Sequence, residues 1–119
     1  KDLGLAILLI THDLGMVAEM CRTIAVMYAG RIVETGEARS VFAAPRHPYT
    51  LGLLNSSPRR TRKGERLIGI PGLVPPPGRR GTGCSFAERC MRAMDRCRIE
   101  TPPLAAREGR VMACWNPVP

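Results

Sequence analysis

Residues 5–10, LAILLI, form a short and continuous apolar run. That pattern predicts a strand buried on both faces, as in a parallel sheet. The polar trio Thr11, His12 and Asp13 follows at once, and then Leu14, Val17, Ala18 and Cys21 recur at i, i+3, i+4 and i+7. Such spacing predicts one face of a short amphipathic helix, with Cys21 on the side that meets the core. Residues 24–28 read as a second strand, Ala29-Gly30 as a tight turn, and residues 31–34 as the returning strand of a hairpin. Thr35-Gly36 is expected to break that strand. Residues 37–43 predict a helix with Glu37 in its first turn, and Pro45 stops it. Pro48 opens another expected helix, running to Asn55 and burying Leu51 and Leu54.

The pattern changes from Ser56 onward. Residues 56–64, SSPRRTRKG, are basic and rich in turn formers, and residues 70–78 continue as an extended segment in which proline fixes much of the backbone. A helix is expected within residues 86–98, and Thr101-Pro102-Pro103 breaks the chain after it. There is no internal repeat.

Composition sharpens this division. At 119 residues and 45% apolar, the chain is at most one ordinary domain, and it has a globular balance. Its core must rest on Leu, Ile, Val, Met and Ala, because aromatics are confined to Tyr28, Phe42, Tyr49, Phe86 and Trp115. No apolar run approaches the roughly 18 residues of a membrane helix. The opening Lys1-Asp2-Leu3-Gly4 does not read as a signal peptide, and the missing initiator Met is expected from a start within a longer polypeptide or from its removal on maturation. The net charge of +8 lies entirely in residues 59–119, which carry thirteen Lys/Arg against five Asp/Glu, whereas residues 1–58 carry five of each. Four of the five cysteines also lie in the second part.

Several site chemistries are absent: no G-x-x-x-x-G-K-[ST] loop, no G-x-G-x-x-G and no H-E-x-x-H occurs. Of the two histidines, His12 and His47, the first ends an expected buried strand, where open α/β sheets bind ligands. A neutral imidazole there donates to a phosphate oxygen or orients a water; alternatively it closes the strand with a structural hydrogen bond. A triad of Ser40, His12 and Asp13 has no spacing to recommend it. Cys84, Cys90, Cys97 and Cys114 lie within 31 residues. Without export signals, such a group favours metal ligation over disulfides. Structural zinc sites begin with ligands two to four residues apart. These wider gaps suit four thiolates around an iron–sulfur cubane, with zinc, or reduced thiols packed without metal, as alternatives.

The stretch AILLITHDLGMVAEMCRTIAVMYAGRIVETGEARSVFAAPRHPYTLGLL resembles the end of an ABC-transporter ATP-binding domain. HPYTLGLL is more specific, and resembles the ATP-binding subunits of bacterial oligopeptide/dipeptide importers. IPGLVPPPGRRGTGCSFAERCMRAMDRCRIETPPL and VMACW resemble the C-terminal extension of the same subunits. Met91 stands where the family often has Pro, and Trp115 after the last Cys is family-like. The resemblance implies an α/β fold: the C-terminal end of a P-loop ATPase domain at 1–58, a basic Pro/Gly-rich linker at 59–82 and a small, irregular cysteine-rich extension at 83–119. It implies that His12 is the switch histidine contacting the γ-phosphate of ATP, that Asp13 helps fix its loop, and that Cys84, Cys90, Cys97 and Cys114 bind a 4Fe–4S cluster. Arg89, Arg92, Arg96 and Arg98 lie among those cysteines, where cations stabilise an anionic cluster.

The same resemblance implies ATP and Mg as cofactors of the parent protein. It implies membrane-spanning permease subunits and a second ATP-binding subunit as partners, and a peripheral place on the cytoplasmic face of the bacterial inner membrane. It implies a peptide as the solute, or a related one such as nickel. The phosphate loop, signature motif and acidic metal-binding strand of that family are not in this sequence, so the chain alone is expected not to hydrolyse ATP. The rival reading is a metal-dependent, basic nucleic-acid-binding module. No aromatic residue is interleaved from Arg59 to Arg80 to stack bases, and no nucleic acid is expected.

Overall fold

A computed structural model describes residues 4–57, 68–76, 78, 81–107 and 109–119. The basic stretch 59–66 of the expected linker lies outside the described residues. The elements are α1 (Leu14–Met20), β1 (Thr23–Tyr28), β2 (Arg31–Glu37), α2 (Ala38–Ala43), α3 (Pro48–Asn55), a single 3-10 turn (Ala87–Arg89), α4 (Asp95–Ile99), β3 (Ala105–Arg107) and β4 (Arg110–Met112). One antiparallel sheet runs in the order β1-β2-β4-β3.

The hairpin turns on Ala29 (φ 47°) and Gly30 (φ 75°), two successive positive φ values that match the right-handed twist of the strands. Ala29 accepts this strained conformation while packing against the buried cluster of Tyr28, Val33 and Phe86. Contrary to expectation, Thr35-Gly36 does not end β2. Gly36 pairs with Ile24, and the Thr35 hydroxyl donates to the Ile24 carbonyl at 2.7 Å. A Cβ on Gly36 would already touch the Val41 side chain at 3.4 Å, so the glycine serves close packing of α2 rather than a break. The β1–β2 register slips between Val26 and Met27, opposite Val33. This bulge lets the consecutive residues Val33 and Glu34 both be buried, which strict alternation forbids.

Two small cores result. Ile24, Ala38 and Val41 pack under α1, with Cys21 against them as its helical position predicts. Tyr28, Val33 and Phe86 form the other, joining the hairpin to the cysteine-rich segment through edge-on contacts of Tyr28 with Tyr49 and Phe86. Helix α3 starts at Pro48 as expected, but it buries Thr50 and Leu54, with Leu51 only half-buried.

Two further expectations fail, and two strands were not foreseen. Residues 5–10 form no strand: Ile7, Leu8 and Ile10 are 87–89% exposed. A strand buried on both faces needs neighbours on both sides, and none of the described residues pairs with it. The expected helix over 86–98 is instead a 3-10 turn and the short α4, interrupted at Cys90. Finally, β3 and β4, with no strong signal in the sequence, extend the hairpin's sheet.

Candidate functional site

His12 is exposed and lies just before α1. The next residue, Asp13, is the helix N-cap: its carboxylate accepts from the amides of Gly15 (2.8 Å) and Met16 (3.1 Å). Its own amide donates to Thr11 Oγ1 at 3.0 Å. Thr11 and Asp13 therefore fix the backbone on either side of His12 and leave its imidazole facing solvent.

The four cysteines come from different elements: Cys84 from a loop, Cys90 from the end of the 3-10 turn, Cys97 from α4, and Cys114 from the segment after β4. All are free thiols. Cys84 is tied to Cys97 by a backbone bond, its amide donating to the Cys97 carbonyl at 2.7 Å. Gly83 makes this approach possible, because a Cβ there would lie 2.5 Å from the carbonyl oxygens of Cys97 and Arg98. Thr101 closes the same loop by donating to the carbonyls of Thr82 (2.7 Å) and Gly83 (2.9 Å).

Trp115 brings the last cysteine to α4. Its indole N–H donates to the Glu100 carbonyl at 3.1 Å, and the Arg96 guanidinium stacks 3.5 Å from its ring centroid. Arg96 in turn pairs with Glu100 at 2.7 Å. Arg92 holds the Asn116 side chain and the Pro117 carbonyl, both at 3.1 Å. Arg89 clamps the extended segment through the carbonyls of Pro71 (2.7 Å) and Ile70 (3.1 Å), and reaches the Tyr28 hydroxyl at 3.3 Å. Arg89, Arg92 and Arg96 thus form the frame that carries the cysteines.

Burial raises the thiol pKa of Cys84 and Cys90, and pushes Cys114 up to about 11. Backbone amides oppose this: Phe86 and Ala87 on Cys84, Arg92 on Cys90 and Asn116 on Cys114. Each of these three sulfurs is thus met by the amide two residues on. Ionisation of Cys90, Cys84 or Cys97 opposes that of Cys114, so the four lie within electrostatic reach of one another. Among the described residues, however, no three His, Cys, Asp or Glu side chains are placed to grip a metal ion.

The family model for the oligopeptide/dipeptide transporter C-terminal region matches residues 33–97. The chain belongs to this family. It is 47% identical over 118 residues to the oligopeptide transport ATP-binding protein OppD of Salmonella typhimurium, covering 99% of this chain and 35% of that protein. It is 49% identical over 116 residues to the dipeptide transport ATP-binding protein DppD of Escherichia coli, covering 97% of this chain and 36% of that protein. The chain thus spans about a third of the length of the curated relatives it matches. Within the oligopeptide/dipeptide transporter region lie most of β2, all of α2 and α3, and Cys84, Cys90 and Cys97, whereas His12 and Cys114 fall outside the matched residues.

Sequence reasoning missed Gly83, Glu34 and Arg110. Glu34, fully buried on β2, accepts from the amides of Arg46 (2.9 Å) and His47 (3.0 Å) and pairs with Arg110 of β4 at 3.3 Å. A glutamate inside a strand pattern is the one signal that was available for it.

Proposed function

We propose that this chain is the C-terminal part of the ATP-binding subunit of a bacterial peptide importer. In this reading residues 1–58 end the ATPase domain, 59–82 link, and 83–119 form the cysteine-rich extension. The observation that carries it is near-50% identity along almost the whole chain to two ATP-binding proteins of oligopeptide and dipeptide transport. His12 donates from its imidazole to the γ-phosphate of ATP, whose binding groups and magnesium come from elsewhere in the parent protein. A rigid backbone on both sides of the exposed ring, set by Thr11 and the Asp13 cap, suits that role. The apolar run 5–10 becomes a sheet strand when neighbouring strands of the ATPase domain cover it. The parent sits peripherally on the cytoplasmic face of the membrane against permease subunits, paired with a second ATP-binding subunit. Among the described residues no helix is long and apolar enough to cross a membrane.

The cysteines are assigned a 4Fe–4S cluster. Four free thiols with amide donors on three of them supply an all-thiolate donor set, and their wide spacing along the sequence suits a cubane better than a single tetrahedral ion. A bound cluster supplies folding free energy to a segment with little core of its own.

The transport reading is tested in vesicles holding the full-length subunit and its permeases. ATP-driven uptake of a labelled tripeptide is expected, and His12→Ala should lower it about 10²-fold or more, the usual loss when a preorganised charge-stabilising donor is removed. Uptake of nickel in place of peptide, or peptide uptake indifferent to His12→Ala, contradicts it.

A further inference from the structure

Cys84 and Cys97 are held together by their backbones. The Cys84 amide donates to the Cys97 carbonyl at 2.7 Å. Adding one N–Cα bond and one Cα-to-oxygen span to that distance puts the two Cα atoms no more than about 6.6 Å apart. A disulfide joins Cα atoms about 4.4–6.8 Å apart, so the backbones of this pair already stand at bonding range. The approach is fixed from both sides. Gly83 leaves no space for a side chain against the Cys97 and Arg98 carbonyls, and the Thr101 hydroxyl ties the carbonyls of Thr82 and Gly83. Ionised Cys97 also opposes ionisation of Cys84, as neighbouring sulfurs do.

Among the described residues no other two cysteines are joined by a backbone hydrogen bond. Cys84 and Cys90 are nearer in sequence, but the chain between them winds through 3-10 bonds, from the Ala87 amide to Cys84 and from the Cys90 amide to Ala87. At about 2 Å of rise per residue, that winding separates their Cα atoms by roughly 10 Å or more, beyond disulfide reach.

The two thiols of the close pair differ in access. Half-buried Cys84 lines a groove of about 440 Å³, between the hairpin and the cysteine segment, with Met27, Ile32, Thr101 and Leu104 around it. That size is in the range of small-molecule sites. Cys97 lies on α4 and is only 7% exposed. A reagent entering the groove therefore meets Cys84 first.

We propose that Cys84 and Cys97 form a reversible disulfide, made by exchange with a small-molecule disulfide such as oxidised glutathione that enters this groove. The Cys84 thiolate attacks one sulfur of the reagent, and the other sulfur leaves as a thiolate. The Cys97 thiolate then attacks the Cys84 sulfur, closing the protein disulfide and expelling the second reagent thiolate. Two electrons and the two cysteine protons end on the reagent, which becomes two thiols. The bond staples the loop before the 3-10 turn to α4. In a reducing compartment a bond of this kind is transient and senses oxidant. The inference goes beyond the transport reading and involves no metal.

The test treats the full 119-residue chain, freed of metal with chelator, with oxidised glutathione, followed by a tryptic map without reduction. The arginines place the four cysteines on separate peptides, 81–89, 90–92, 97–98 and 111–119. The folded chain should lose two of its five free thiols and yield 81–89 linked to 97–98. In urea the shorter loops Cys84–Cys90 and Cys90–Cys97 should prevail instead. Cys97→Ser should trap glutathione on Cys84, whereas Cys84→Ser should leave Cys97 reduced; the wild-type map decides if either variant misfolds. A folded chain that links Cys84 mainly to Cys90 or Cys114, gives the same map in urea, or keeps all its thiols overturns the inference and leaves the transport reading standing.

Discussion

His47 shows what a single residue contributes here. It is 1% exposed, and its Nδ1 accepts the Tyr49 amide at 3.1 Å, which caps α3 and requires a neutral ring. Burial holds its pKa down to about 4, against the pull of Glu34 and the Ala113 backbone. The neighbouring groups are Glu34 from β2, paired there with Arg110 from β4, and Tyr49 on α3 itself. Because the folded pKa lies below the unfolded value near 6.5, the unfolded chain binds more protons between these pH values. Stability is fully present above about pH 6.5 and falls toward pH 4 by on the order of 3 kcal/mol. Urea unfolding at pH 7.5 and 4.5 measures this. His47→Gln should show a much smaller drop, and an equal drop in both proteins rules out His47 as its source.

At the scale of elements, the Glu34–Arg110 pair decides how the sheet is completed. Arg110→Ala leaves a buried carboxylate without its cation and should cost about 3–5 kcal/mol, whereas adding Glu34→Gln, which removes the charge but keeps an acceptor for the Arg46 and His47 amides, should recover much of that loss. Denaturant midpoints of the two single variants and the double variant give the coupling; simple additivity contradicts it. Elements held by local pattern were legible in the sequence. The i, i+3, i+4, i+7 spacing found α1, the Ala29-Gly30 turn found the hairpin, and Pro48 found the start of α3. What failed depended on distant partners. Strands β3 and β4 are too short to show a period, and exist because β2 offers an edge. The expected helix through Cys90 lost to the cysteine loops, which place backbone amides on sulfur instead of in a helical ladder. Gly36 looked like a strand breaker, but its role is close packing against Val41.

On the scale of the whole molecule, the two sites have different standing. The proposed role of His12 rests on its motif, and the residue sits exposed beside a run of apolar residues with no strand to pair with among the described residues. The chemistry proposed for it draws on groups outside this chain. The cysteines are the proposed site whose four side chains all come from this chain. Their spacing was readable; the frame that carries them was not, because Gly83, Arg89 and Trp115 act through contacts across the fold. The decisive measurement is therefore the metal content and spectrum of the chain purified without oxygen. The account predicts a brown protein absorbing near 400 nm with about four irons per chain, lost in Cys114→Ser. A colourless protein carrying one zinc, or no metal, contradicts it.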